Sequence, residues 1–273
     1  MPPKLGIVAG GGTLPSRVYA ACRAQGREAL VVALRGHAEA RTFAAGTPLT
    51  WVDLGEAGSS FNLLRKQGVG EIVLVGPVKR PSLFSLIPDA RTAMFIARVG
   101  LRALGDDGLL RAIIAEFEAE GFKVIGVDSI LGDLVAQEGV WGRHKPDARA
   151  EADIALGLRA AKAHGAADRG QAVVVQQGAV IDRETEAGTD ALIRHAGRLK
   201  KAGPGPILVK TAKPGQERRA DLPTVGVHTV TTAVAAGFAG IAVEAGGTLV
   251  PDREAAIAAA DAAGLFLVGV KAP

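Results

Sequence analysis

The sequence has one cysteine, one tyrosine and two tryptophans, and aromatic residues make up only 4% of it. One cysteine excludes an intrachain disulfide framework and points to a reducing compartment. Cys22 falls in an amphipathic stretch expected to be helical, where a buried structural thiol is the ordinary reading and a nucleophile the exceptional one. So few aromatics oblige the core to be built from Ala, Val, Ile and Leu, as in α/β folds with buried aliphatic strands. No apolar run reaches the roughly 20 residues a membrane-spanning helix needs. The first residues enter a strand-like segment without the charged and apolar parts of a secretory leader, so a soluble, cytoplasmic protein is expected. There is no low-complexity linker and no repeat of solenoid length.

Several catalytic signatures are also missing. His37, His144, His164, His195 and His228 show no metal-ligand spacing, so a zinc site or a calcineurin-type dimetal centre is unsupported. Neither a Walker A sequence nor a Gly-x-Ser-x-Gly elbow occurs. The net charge of +4 carries no dense Lys/Arg stripe; it suits an anionic small molecule or an anionic membrane surface, and no nucleic-acid partner is expected.

What is present is a chain of 273 residues, 48% of them hydrophobic, enough for one large or two medium domains. The first half alternates strands and helices: strands at 5–9, 29–34, 50–54, 71–75 and 122–127, with helices at 13–25, 59–67 and from Asp106. In the last of these, Leu109, Leu110, Ile113, Ile114 and Phe117 mark one buried face. Strands separated by helices imply a parallel, Rossmann-like sheet with right-handed crossovers. The pattern lapses between Asp133 and Pro146. The expected organisation is therefore a Rossmann-like domain over 1–134, a linker over 135–146, and a second α/β domain with a mixed sheet over 147–273. In that second half, 172–181 reads as two strands turning at Gln177-Gly178. A helix over 147–164, one over 189–200 and a strand at 207–210 flank and follow this hairpin. A long polar loop to Gly226 comes next, then a helix at 229–236, a strand at 240–244, a helix at 252–263 and a strand at 265–270.

Two loops carry chemistry. Gly10-Gly11-Gly12-Thr13-Leu14-Pro15 joins the first strand to the first helix. Glycines let backbone approach a phosphate, the helix start offers free amides, Thr13 can cap the helix, and Pro15 suits its first turn. The dinucleotide fingerprint is incomplete, because Pro15 replaces its third glycine and Leu34-Arg35 ends the second strand without an acid. NAD is disfavoured, Arg35 leaves NADP open, and a tight turn without a ligand is the bland alternative. The second loop runs from Lys210 to Gly226, where a buried strand's carboxyl end meets a helix start, and ligands of open α/β sheets gather at such places. Lys213, Arg218 and Arg219 could hold phosphate oxygens, and Asp221 could bind Mg²⁺ or orient water, or else only brace the turn before Leu222-Pro223. Asp106-Asp107, Thr189-Asp190 and Asp252 stand at helix starts, where capping explains each. Asp190 is the best functional candidate among them.

Together, Gly6 to Pro15, Gly76 to Pro81, Pro88-Asp89-Ala90-Arg91, Gly105 to Arg111, Glu186 to Arg194, Lys213 to Gly226 and Ala239 to Gly246 resemble one family. It is the UDP-2,3-diacylglucosamine pyrophosphatases of the non-calcineurin type, enzymes of lipid A synthesis in Gram-negative bacteria. The resemblance runs in order along nearly the whole chain. It implies a first domain that binds the amphiphilic nucleotide-sugar lipid and a second that hydrolyses it. It implies Mg²⁺ as cofactor, water attack, and release of UMP and 2,3-diacylglucosamine 1-phosphate. The family's important aspartate falls on Asp221, within Arg219 to Thr224. The expected site is then Asp221, Lys213 and Thr224 for catalysis, with Asp221 and Asp107 for the metal. Gly10, Gly11, Gly12, Thr13, Lys79, Thr189, Asp190, Arg218 and Arg219 are expected to bind substrate. Peripheral contact with the cytoplasmic face of the inner membrane is expected, and a homodimer is an open alternative. The rivals are an NADP-dependent oxidoreductase and a non-catalytic nucleotide-sugar sensor.

Overall fold

The computed structural model describes residues 2–79, 87–100 and 106–272. Arg80, Pro81 and Gly105 of the family-like stretches lie outside them. The chain forms two compact units. Unit 1 comprises residues 1–132 together with Glu217–Asp221, and unit 2 comprises 133–216 and 222–273.

Unit 1 begins with β1 (Lys4–Ala9), α1 (Leu14–Ala24), β2 (Ala29–Leu34), β3 (Leu49–Val52), α2 (Ala57–Lys66) and β4 (Val69–Val75). It continues with α3 (Ala90–Val99), α4 (Asp106–Ala119) and β5 (Lys123–Val124). The strands form a parallel sheet in the order β3-β2-β1-β4-β5. Central strands of such a sheet are covered on both faces, which is why β1, β2 and β4 are largely aliphatic. One face packs Val32, Leu34, Leu64, Ile72 and Ile114 with Phe61 and Phe122. Phe61 also meets Phe117 edge-on at 5.2 Å. Cys22 is fully buried on α1, as a structural thiol should be.

Three features depart from the pattern reading. α3 was not expected; of its side chains only Thr92 is buried, so no apolar stripe announces it. Asp89 caps it, accepting from Thr92 N at 2.8 Å, and its other oxygen accepts from Gly58 N in the first turn of α2 at 2.7 Å. The strand expected over 122–127 is ordered as strand only at β5, because the chain turns into a 3₁₀ helix at Val127–Ser129. Thr13 starts α1 without a side-chain cap, although Pro15 does occupy its first turn.

A buried charge ties the sheet together. Glu71 of β4 lies beside Lys123 of β5 and accepts from Lys123 Nζ at 2.9 Å and from Arg27 Nη2 at 2.6 Å. The Lys123 ammonium above all, with Arg27 beside it, outweighs burial and holds the Glu71 carboxyl below its usual range. A depressed folded pKa contributes stability above the unfolded value near 4.3, lost as pH falls through the folded value. Glu71→Gln is expected to cost about 2 kcal/mol at pH 7 and to cost far less at pH 3. Urea unfolding at both pH values checks this, and an equal loss at both would contradict it.

Unit 2 contains β6 (Gly139–Trp141), α5 (Ala148–Ala166), β7 (Ala172–Gln176), β8 (Ala179–Arg183), α6 (Thr189–Leu199) and β9 (Ile207–Lys210). After these come α7 (Val227–Ala235), β10 (Gly240–Glu244), α8 (Arg253–Ala263) and β11 (Phe266–Val270). The sheet order is β6-β11-β10-β9-β7-β8. Strands β9, β10 and β11 are parallel, whereas β7 runs against both β9 and β8 and β6 runs against β11. The mixed sheet is thus as expected. One face packs on Ile154, Leu158 and Ala161 of α5, and the other on α6, α7 and α8 through Ile193, Val230 and Ala256.

The β7–β8 hairpin turns at Gln177 and Gly178, with φ of 53° and 75°, the primed geometry whose twist matches the strands. Asp153 of α5 accepts from both turn amides, at 2.8 and 2.6 Å. Asp147 caps α5, accepting from Ala150 N at 2.8 Å. Residues 135–146, expected as a linker, instead supply β6. Trp141 of that strand is buried, and the Arg253 guanidinium lies over its ring at 5.3 Å.

Candidate functional site

In unit 1 the glycine loop follows β1 and Gly76 to Lys79 follow β4, at the carboxyl end of adjacent strands. The sheet order reverses direction between β1 and β4, and ligands of open parallel sheets lie beside such a point. The loop's glycines do two different jobs there. Gly10 N donates to Val75 O at 2.8 Å and Gly11 N to Pro77 O at 2.9 Å, so these amides are spent on the neighbouring strand's exit. A Cβ on Gly10 would lie 2.5 Å from Gly76 O and 2.7 Å from Pro77 O. Close backbone approach is what requires Gly10. Gly12, at φ +75°, and Thr13 at the start of α1 are the loop residues placed where the helix amides begin. The exposed Lys79 joins this edge through its backbone, donating from N to His37 Nδ1 at 3.3 Å. Arg35, which left NADP open, faces Asp53 at 3.5 Å on the surface.

Unit 1 also holds the segment bearing Asp221. Glu217 N donates to Asp107 Oδ1 at 2.9 Å, and Arg111 Nε donates to Asp107 Oδ2 at 2.7 Å. Arg219 donates from Nε and Nη2 to Glu217 and from Nη1 to Glu118, at 2.8, 2.9 and 2.6 Å. These bonds hold the Glu217 carboxyl below the usual carboxylate range, chiefly through Arg219, and raise the Arg219 guanidinium, chiefly through Glu217. Ala220 packs against the core cluster that includes Ile114. Asp221 is half-buried at the end of this turn, and its N donates to Glu217 O at 3.0 Å. Arg218 is exposed beside it.

Unit 2 gathers a second set of expected residues at the carboxyl end of β9. Lys210, the last residue of that strand, is 6% exposed. Its Nζ donates to Thr189 Oγ1 at 2.9 Å and to Thr224 O at 3.2 Å. Thr189 in turn donates to the buried Glu184, which also accepts from Gln171 N at 2.7 Å. Asp190, in the first turn of α6, lies 3.0 Å from His228 Nε2 in the first turn of α7. Thr189, Asp190 and Thr224 are thus brought together, with Lys210, Glu184 and His228 as partners that sequence reasoning had not assigned. A lysine ending the fully buried strand Ile207–Lys210 was the one visible signal. Lys213 is turned toward Asp168 in the loop after α5, with Nζ to Oδ1 at 2.7 Å.

Among the described residues, no group of three or more His, Cys, Asp or Glu side chains is placed to hold a metal ion. Magnesium is commonly held by one or two carboxylates plus substrate phosphates, so a single carboxylate such as Asp221 fits it. Asp107, with both oxygens engaged by Glu217 and Arg111, fits poorly.

Comparison with known proteins covers both units. The model of the LpxI N-terminal domain matches residues 4–134, and that of the LpxI C-terminal domain matches residues 137–268. A protein of Caulobacter vibrioides, UDP-2,3-diacylglucosamine pyrophosphatase LpxI, is 42% identical over 274 residues, which span 98% of this chain and 97% of that protein.

Proposed function

Since the chain belongs to the LpxI family, we propose that it is a Mg²⁺-dependent hydrolase of lipid A synthesis. It cuts the pyrophosphate bond of UDP-2,3-diacylglucosamine, giving UMP and 2,3-diacylglucosamine 1-phosphate. The observation that carries this reading is the identity to the Caulobacter protein along essentially the whole of both chains. The glycine loop, the Asp107 helix and the Asp221 segment all lie within residues 4–134 and 137–268, which the two domain models match.

The residues suit the chemistry. A diphosphate diester repels an incoming hydroxide, so its hydrolysis calls for neutralising charge and a group that positions water. Magnesium held by Asp221 and the substrate phosphates would supply the larger part of that neutralisation. Asp221 orients the attacking water, and Gly12 and Thr13 at the start of α1 offer amides to the uridine diphosphate. Water's oxygen bonds to one phosphorus, the bridging P–O bond breaks, and the bridging oxygen leaves on the other phosphate. The lipid substrate implies peripheral contact with a bilayer, and unit 1 exposes Ile87 and Met94, 91% and 66% accessible, as apolar side chains suited to acyl chains. No helix among the described residues is long and apolar enough to cross a membrane.

Incubation with UDP-2,3-diacylglucosamine and Mg²⁺ in heavy-oxygen water tests the reading. UMP release with one label per turnover, in either UMP or the sugar phosphate, is the expected result. Stoichiometric binding without release would instead make the protein a nucleotide-sugar sensor.

A further inference from the structure

The stretch Glu217–Asp221 counts with unit 1, although the residues on either side of it belong to unit 2. What holds it there is one stripe of α4. Asp107, Arg111, Ile114 and Glu118 recur at spacings of four, three and four, which places them along one side of the helix. At one end of the stripe Asp107 Oδ1 accepts from Glu217 N at 2.9 Å. About three turns further along, Glu118 Oε1 accepts from Arg219 Nη1 at 2.6 Å. Between them Ile114, 1% exposed, belongs to the cluster against which Ala220 packs. Within the segment, Glu217 binds Arg219 through two guanidinium nitrogens, and Asp221 N donates back to Glu217 O. Glu217, Arg219, Ala220 and Asp221 are thereby each tied to α4 or to a neighbour so tied. The second oxygen of Asp107 accepts from Arg111, so the carboxylate is committed at both atoms.

We propose that Asp107 and Glu118 are positioning residues, a two-point clip on α4 that fixes the Glu217–Asp221 turn and so the direction of the Asp221 carboxylate. Asp107 is then no metal ligand. The proposal rests on the reading of Asp221 as the acting carboxylate, and it predicts effects that a ligand or a general stability role would not produce. An amide at 107 still accepts from Glu217 N, whereas alanine cannot.

The test compares Asp107→Ala, Asp107→Asn and Glu118→Ala with the wild type by hydrogen exchange and by kinetics over a Mg²⁺ titration. In Asp107→Ala, exchange should quicken at the amides of Glu217 to Asp221 and stay unchanged in the unit 1 sheet. The same variant should lose about 10- to 100-fold in kcat, with KM and the half-saturating Mg²⁺ concentration within about twofold of wild type. Asp107→Asn should recover most of the lost kcat, and Glu118→Ala, which leaves no acceptor for Arg219 at that position, should show the same exchange signature at the Arg219 end. A Mg²⁺ requirement raised tenfold in Asp107→Ala and Asp107→Asn alike, with exchange unchanged, would make Asp107 a ligand and overturn the proposal. A wild-type protein that releases no UMP would sink the functional reading by itself, while the exchange data would still decide the clip.

Discussion

Replacing Asp221 with alanine is expected to lower kcat for UMP release by about a thousandfold, with binding of the substrate still measurable. A single carboxylate that orients water and holds a charge-neutralising ion acts mainly in the transition state, and its loss is worth roughly two to four powers of ten. KM should move little, since removal of a group that acts only in the transition state lowers kcat and kcat/KM alike. The arginine nearest in sequence on the α4 side, Arg219, keeps its bonds to Glu217 and Glu118 in this variant, so the turn itself persists. Asp221→Asn keeps the shape but not the charge and should be nearly as inactive. The measurement is UMP release by both variants at saturating substrate, with far-UV circular dichroism to show that they fold. Turnover of Asp221→Ala within tenfold of wild type would remove this residue from the mechanism.

The second large effect is structural. Gly10→Ala should destabilise unit 1 by about 3 kcal/mol, because the three nearest atoms its methyl would meet all belong to backbone. Gly76 O and Pro77 O, at 2.5 and 2.7 Å from the ideal Cβ position, have no rotamer by which to move aside. The ends of β1 and β4 would have to part, straining the 2.8 Å bond from Gly10 N to Val75 O. Gly12→Ala makes the informative contrast. Among the described residues its methyl would find only Pro77 Cδ, at 4.0 Å, so the cost there is that of a left-handed φ, about 1 kcal/mol. Urea unfolding of both variants orders the two effects. The packing argument fails if Gly10→Ala is no less stable than Gly12→Ala.

These glycines also show how far a sequence can be read. The loop was legible as the junction of a strand and a helix in a parallel sheet. What Gly10 approaches was not, since Gly76 lies far along the chain and only pairing of β1 with β4 brings the two together. The same reason hid the partners of the second set. Glu184 and Thr189 stand at one loop-to-helix junction and Lys210 and Thr224 at the two ends of another loop, and no local spacing relates the two stretches. Asp107 looked like a helix cap or a ligand because its actual partner, the Glu217 amide, is more than a hundred positions away. Where local rules suffice, the reading was close. The Gln177-Gly178 turn needs positive φ at both positions, which the paired strands around it advertise. β10 falls at Gly240–Glu244 as its aliphatic run suggests. β6 escaped because three residues, two of them exposed, are too few to show a period.

The borrowed segment on α4 has a consequence for how the chain is born. Translation runs at roughly 5–20 residues per second and domains tend to fold in the order they emerge. The five parallel strands of unit 1 are complete once residue 124 has left the ribosome, yet Glu217–Asp221 follows roughly 90 residues after the end of its first part at Gly132. For some seconds the nascent protein therefore carries a Rossmann-like sheet whose Asp107 and Glu118 await their partners. On the proposed reading of Asp221 as the acting carboxylate, the nascent first unit stays catalytically silent until that residue has emerged and its turn has docked on α4.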